Sequence, residues 1–223
     1  MLRNYDNTYH GNIDFNIDRK AIESLVTFLD INISKFPGFL KQINTLLVNE
    51  DGITSKLEIF LQRQARQGDQ IFMFQFQTPL LNTKRTTDIS VVYTSLYSST
   101  EPFFLIEAKR LPTPGNGSRE REYVQGNHGA IERFKRSQHG KGLEISAVLG
   151  YIEDNNSFEH WQKKVCSWIT DLINLNSDAT IDWTNNDLLS FVENFSSSNK
   201  YNSLHSRRTD CDINLIHYWV NVN

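Results

Sequence analysis

Two short segments near the middle of the chain carry charged residues of the types that hydrolytic chemistry uses. Asp88 lies at the head of one strand-like segment, and Glu107-Ala108-Lys109 ends the next. Side chains alternate across a strand, so Glu107 and Lys109 should project from one face. Leu105 shares that face and is apolar, and unpaired charges are costly to bury beside it. The three charged residues could therefore serve a reaction in which charge develops, or form an ion pair in which Asp88 answers Lys109.

The periodicity of the flanking sequence predicts the elements that must position these residues. A capping-box pattern, Ser55-Lys56-Leu57-Glu58, predicts where the third helix opens. Predicted helices cover residues 19–33, 39–47, 58–66, 121–138, 158–175 and 187–192; strands cover 72–77, 88–93, 102–109, 145–151 and 213–220; polar loops cover 111–118 and 196–203. A strand, a helix and a strand in succession predict a parallel crossover. The predicted fold class is α/β, with a mixed central sheet flanked by helices.

Composition limits the class of protein. The 223 residues are 39% hydrophobic and 22% charged, which excludes a disordered or fibrous chain. No apolar stretch approaches the ~20 residues of a membrane helix, and the first residues lack the apolar region of a signal peptide. Two cysteines, Cys166 and Cys211, suit a reducing compartment. We expect one cytoplasmic domain over 1–223 without a membrane partner: a helical part (18–67), a core (55–151) and C-terminal elements (158–223).

Charge is unevenly distributed along the chain. The net charge is −3, yet residues 110–141 carry seven Lys or Arg against three Glu, a local +4. A basic segment on an acidic body is typical of a phosphate-binding face, and equally of a solvated helix surface. The charge pattern alone leaves both interpretations open.

The order of these elements, together with the acidic residues, resembles the PD-(D/E)xK phosphodiesterase superfamily, the fold of many restriction endonucleases. The resemblance rests on Asp88 within Thr87-Asp88-Ile89-Ser90-Val91, on Glu107-Ala108-Lys109, and on the helix and strand that follow. It covers roughly residues 55–151 and implies a restriction endonuclease-like core with helical additions at both ends. The chain departs from the motif at Thr87, where the family name has a proline.

The resemblance also implies roles for individual residues. Asp88 and Glu107 would bind Mg2+, with Mn2+ as a substitute, while Lys109 orients or helps to activate the attacking water. Hard cations of this kind take one or two carboxylates plus water and phosphate oxygens. Glu58 would complete the metal site, although Glu23 competes for that role and Glu58 could instead serve only the capping box. The number of metal ions stays open.

Five residues after the motif are candidates for the nucleic-acid side. The family often places a Gln, Lys or Tyr near the metal, which suggests Tyr123, Gln125 and Arg133. Lys135 and Arg136 either join them or are simply solvated.

The resemblance predicts a Mg2+-dependent deoxyribonuclease, in bacterial restriction or anti-phage defence. An inactive nucleic-acid-binding or assembly module of the same fold is the alternative from another class, because fold does not fix function. An RNA-cleaving or structure-selective repair nuclease would use the same residues. DNA is the expected partner, RNA remains open, and so does a homodimer.

Overall fold

The computed structural model describes residues 15–43, 49–79, 86–94, 101–115, 119–175 and 178–223, with the backbone alone for residues 15–18. Three helices come first: α1 (Phe15–Ile33), α2 (Phe36–Ile43) and α3 (Glu50–Gln67). Then follow β1 (Phe72–Pro79), β2 (Thr86–Tyr93), β3 (Phe104–Leu111), α4 (Ala130–Lys135), β4 (Ile145–Ile152) and α5 (Phe158–Leu175). A 3-10 turn (Asn185–Asp187) leads to β5 (Ser190–Phe195), β6 (Ser198–His205) and β7 (Ile213–Asn221). No helix in these ranges is long and apolar enough to cross a membrane.

The strands form one seven-stranded sheet in the order β1-β2-β3-β4-β7-β6-β5. Strands β1, β2 and β3 form an antiparallel meander, and β3 then pairs with β4 in parallel across the α4 crossover. Strand β7 is parallel to β4, whereas β6 and β5 add antiparallel pairs beyond it. The predicted α/β class with a mixed sheet is confirmed, as is the parallel crossover.

Helices bury both faces of the sheet. Helices α1, α2 and α3 pack on the face that carries Phe72, Phe74, Ile106 and Ala108. The opposite face, which includes Leu105, packs against α4 and α5. Central strand β3 is buried on both sides, which explains its nearly continuous apolar sequence. The two charged residues near its end therefore lie in a densely packed layer.

Two predicted helix boundaries were wrong in the N-terminal part. Helix α3 begins at Glu50 and not at the predicted capping box, because Asn49 is its N-cap: the Asn49 side chain accepts the N–H of Gly52 at 2.8 Å. Ser55 lies inside this helix. The predicted second helix, 39–47, is α2, which begins earlier, at Phe36, and residues 44–48 lie outside the described ranges.

Three predictions in the second half were also wrong. The predicted helix 121–138 is mostly turns, and only Ala130–Lys135 is helical. Gly126 has φ +98°, which ends any helix before it, and a Cβ on Gly129 would lie 2.4 Å from the Gln125 carbonyl carbon. The predicted helix 187–192 gives way to β5, and the predicted loop 196–203 is largely β6.

Candidate active site at the end of the central strand

Asp88 and Glu107 lie on neighbouring antiparallel strands. The pairing of β2 with β3 includes Ile89 opposite Ile106, so one further step brings Asp88 opposite Glu107 on the other face. The Asp88 Oδ2 atom accepts the backbone N–H of Ala108 at 2.7 Å, which ties the carboxylate to β3. The two acidic residues predicted to act together therefore lie together.

Glu107 is buried among positively charged and imidazole groups. Its Oε1 atom accepts a hydrogen bond from Arg133 Nη1 at 2.6 Å and lies 3.9 Å from Lys109 Nζ. Its Oε2 atom lies 2.9 Å from His139 Nδ1, but the two are not aligned as a hydrogen bond. Glu107 Oε2 is thus a buried carboxylate oxygen without a well-aligned donor in the described part of the chain.

Lys109 is held by an acidic residue that the sequence did not single out. Its ammonium donates to Glu50 Oε1 at 2.9 Å, and the N–H of Arg110 donates to Glu50 Oε2 at 3.0 Å. Glu50 is the first residue of α3, so the start of that helix reaches the end of β3.

The two acidic residues proposed to complete the site lie in other surroundings. Glu58 follows Glu50 by two turns of α3, and the charge that acts on it is Arg66. Glu23 lies on α1, is exposed and pairs with Arg19. The α3 carboxylate that contacts Lys109 is therefore Glu50.

The charges in this cluster follow from burial and proximity. Burial, reinforced by the neighbouring Glu107, raises the pKa of Asp88 to about 8. Burial alone would also raise the pKa of Glu107, but His139, Lys109 and Arg133 offset it and lower that pKa. Burial would lower the pKa of Lys109, yet Glu50, Glu107 and Asp88 raise it. At neutral pH the cluster thus contains a protonated Asp88, an ionised Glu107 and a charged Lys109.

The donor set suits a hard cation that brings other ligands with it. Within the described ranges, no group of three or more His, Cys, Asp or Glu residues is placed to hold a metal ion. Mg2+ does not require such a cage, because it commonly uses one or two carboxylates, waters and substrate phosphates. Asp88 and Glu107 could supply those carboxylates, and the Oε1 atom of Glu107 lies on the side of the partly exposed Arg133.

Two of the predicted nucleic-acid contacts are buried and therefore wrong. Tyr123 is fully buried; its hydroxyl lies 2.8 Å from His217 Nδ1 and accepts the indole N–H of Trp219 at 2.8 Å. The side chain of Lys135 is also fully buried and pairs with Asp187 at 2.6 Å. Neither side chain can reach a phosphate in this structure.

The other three predicted contacts are at least partly accessible. Arg136 is engaged by Glu132 at 2.6 Å and by Asp178. Gln125 is half-buried. Arg133 is the one whose guanidinium touches Glu107, so it belongs to the cluster itself.

His205, the last residue of β6, and Arg207, in the connection after it, are packed into the fold. His205 is fully buried and contacts Asp187 and Ser203. Arg207 donates to the carbonyl oxygens of Gly140 and Leu143. These two side chains stabilise the fold.

A buried hydrogen-bonded chain joins the C-terminal strands to the turn before α4. Ser203 Oγ lies 2.6 Å from His205 Nε2 and 2.7 Å from His217 Nε2, and His217 continues to Tyr123. Burial lowers the pKa of both histidines, so each is neutral and can donate from one nitrogen and accept at the other. This series of hydrogen bonds ends at Asp187, and it holds the turn before α4 against the sheet.

Sequence reasoning missed Glu50 and His139. Asn49 followed by two acidic residues is an N-cap signal that could have placed Glu50 at a helix start. His139 lies beyond α4 and had no local pattern to mark it. Comparison with protein-family models, with curated proteins and with solved structures found no match for this chain.

Proposed function

We propose that this protein is a metal-dependent nuclease of the PD-(D/E)xK type that hydrolyses phosphodiester bonds in DNA. The observation that carries the proposal is the cluster of Asp88, Glu107 and Lys109 at the end of the central strand. The order helix, three antiparallel strands, helix and parallel strand supports it, because that order is the one the resemblance implies. A cytoplasmic location and a role in restriction or defence rest on the resemblance and the sequence alone.

Each side chain has a distinct task in this proposal. Asp88, after losing its proton, and Glu107 would hold Mg2+ or Mn2+ through carboxylate oxygens. When bound, the metal polarises the phosphoryl oxygen and lowers the pKa of a coordinated water. Lys109 stays charged and stabilises the negative charge that develops on the phosphate, so it acts as an electrostatic group and not as a general base. Glu50 fixes the direction of the Lys109 ammonium.

The first test is a cleavage assay on supercoiled plasmid, linear duplex, single-stranded DNA and RNA, each with Mg2+, Mn2+, Ca2+ or EDTA. We expect cleavage of DNA with Mg2+ or Mn2+ and little turnover with Ca2+, whose looser coordination positions water poorly. Glu107→Gln should reduce the rate by about 100-fold or more. Glu159→Gln, on the exposed face of α5, is the matched control and should cleave normally.

Other outcomes would redirect the proposal. Cleavage that persists in excess EDTA would exclude the metal mechanism. Tight DNA binding without cleavage by any metal would favour the assembly or binding module. Cleavage of RNA alone would keep the chemistry and change the substrate.

A further inference from the structure

Two side chains lie against different oxygens of the Glu107 carboxylate: His139, which is enclosed, and Arg133, which could move to another partner. The His139 side chain on the Oε2 side is fully buried, and its ring packs edge-on against Phe134. The Arg133 side chain on the Oε1 side is 17% exposed, whereas Glu107 is only 1% exposed. A movement of Arg133 would therefore open the carboxylate without unpacking the strand that carries it.

The remaining contacts of Arg133 are with a surface turn. Its Nε atom donates to the carbonyl of Asn127 at 3.3 Å, and Nη2 lies 3.0 Å from His128 Nδ1. Asn127 and His128 are both exposed. A guanidinium has five N–H donors in a fixed fork, a geometry that also matches a phosphate group. The side chain thus lies between a buried carboxylate and a solvent-facing turn.

Arg133 and a metal ion compete for the same carboxylate. Both carry positive charge, and both need oxygens of a Glu107 that already has Lys109 within 3.9 Å. Another cation brought to Glu107 would be repelled by the guanidinium while it remains there. A phosphate from the substrate offers Arg133 an alternative anion.

We propose that Arg133 couples metal binding to nucleic-acid binding: in the free protein it occupies Glu107, and a substrate phosphate draws it away so that Glu107 can take the metal. This inference rests on the proposed function, because it concerns the same metal site. Metal and nucleic acid then each raise the affinity of the protein for the other. Such a coupling is reciprocal, and factors of about 5 to 150 are typical.

Two binding measurements that do not depend on cleavage test the coupling. Mn2+ affinity is measured calorimetrically without nucleic acid, and the affinity for a fluorescent DNA duplex is measured by anisotropy with Ca2+ and with EDTA. In the wild type we expect weak Mn2+ binding and a gain in duplex affinity of about 5-fold or more on adding Ca2+. Arg133→Gln should bind Mn2+ about 5-fold or more tightly than the wild type and lose most of the gain from Ca2+.

Two further variants make the result specific. Arg19→Gln removes an exposed arginine of α1 that pairs with Glu23 instead of Glu107, and it should leave both measurements unchanged. Arg133→Lys keeps a positive charge beside Glu107 and should keep Mn2+ binding weak. Circular dichroism melting establishes that each variant is folded. If Arg133→Gln does not fold, the wild-type measurement decides the question, because a duplex affinity that does not rise with Ca2+ overturns the inference.

The outcomes separate this inference from the proposed function. One result overturns the inference alone: Glu107→Gln abolishes Mn2+ binding, while both Arg133 variants bind Mn2+ with the wild-type affinity and keep the effect of Ca2+ on duplex binding. Absence of any metal binding, with or without the duplex, overturns the proposed function and the inference with it.

Discussion

Asp88→Asn should stabilise the fold at alkaline pH, although it removes a residue of the proposed site. In the folded chain the pKa of Asp88 is raised from 3.8 to about 8 by burial and by the neighbouring Glu107. A raised folded pKa means that the associated stability is fully present below 3.8 and has been lost once the pH rises through about 8. An asparagine cannot ionise, so the variant does not lose this stability as the pH rises. Its amide oxygen can still accept a hydrogen bond from the N–H of Ala108.

The size of the effect follows from the shift. The difference between 3.8 and about 8 corresponds to roughly 6 kcal/mol at about 1.36 kcal/mol per pH unit. Asp88 is partly exposed, so water reduces the cost of its charge, and we expect about 2 kcal/mol of added stability above pH 8. Below pH 4 the variant and the wild type should differ by much less.

Urea unfolding in EDTA at pH 4, 7 and 9, followed by circular dichroism, measures this difference. Glu107→Gln is the matched comparison in the same cluster, and it should destabilise at neutral pH because it leaves Lys109 and Arg133 without their buried carboxylate. A variant Asp88→Asn that is less stable than the wild type at pH 9 would refute the reasoning. It would mean that ionised Asp88 forms a favourable ion pair.

Three other predictions concern the cluster and the buried polar chain. Lys109→Ala should lower the Mg2+-dependent rate of plasmid nicking by about 100-fold or more, whereas Glu58→Gln should nick at close to the wild-type rate, and equal losses would contradict this assignment. The pKa of His217 lies well below 6.5 because of burial, so the unfolded chain takes up its proton first and the urea midpoint should fall as the pH drops below 6.5; a flat profile would contradict this. Lys135→Met should cost about 3 to 5 kcal/mol in urea unfolding because it removes a buried partner of Asp187, and a loss under about 1 kcal/mol would indicate a solvated lysine.

Strands near the site could be predicted because their sequence reflects burial directly. Alternating Phe72 and Phe74 marked β1, and the apolar runs of β3 and β4 marked strands buried on both faces. Strands that follow one another along the chain usually lie side by side, which brings Asp88 to Glu107. This part of the candidate site therefore follows from local pattern and strand order.

Glu50 could not be found in the same way because the short stretch after it contains a turn signal and then a second helix-start signal. Asp51-Gly52 is typical of a turn, and Ser55 with Glu58 is typical of a capping box. The helix begins after the N-cap Asn49 because a helix that starts there buries Ile53 as well as Leu57. Tertiary burial, which the local pattern does not contain, decides the boundary.

Strand β6 was missed for a different reason. Its sequence is rich in serine and asparagine, which favours turns when read locally. Pairing of β6 with β7 along its whole length supplies the backbone hydrogen bonds, and buried Tyr201, Ser203 and His205 supply the packing. This pairing and packing, which the local composition does not contain, decides that the segment is a strand.

The basic segment shows most clearly why local charge does not reveal an interface. Six of its seven positive residues form ion pairs with acidic side chains: Arg110 with Glu153, Arg119 with Glu122, Arg121 with Asp171, Arg133 with Glu107, Lys135 with Asp187, and Arg136 with Glu132 and Asp178. Five of the acidic partners lie outside 110–141, so the local +4 is balanced only when the chain folds. The positive charge of the segment is therefore largely paired with acidic side chains in the folded chain. A nucleic acid that binds this segment must replace acidic side chains as the partners of these positive residues. Arg133 links a buried carboxylate to an exposed turn, so replacing its partner would also change the proposed site.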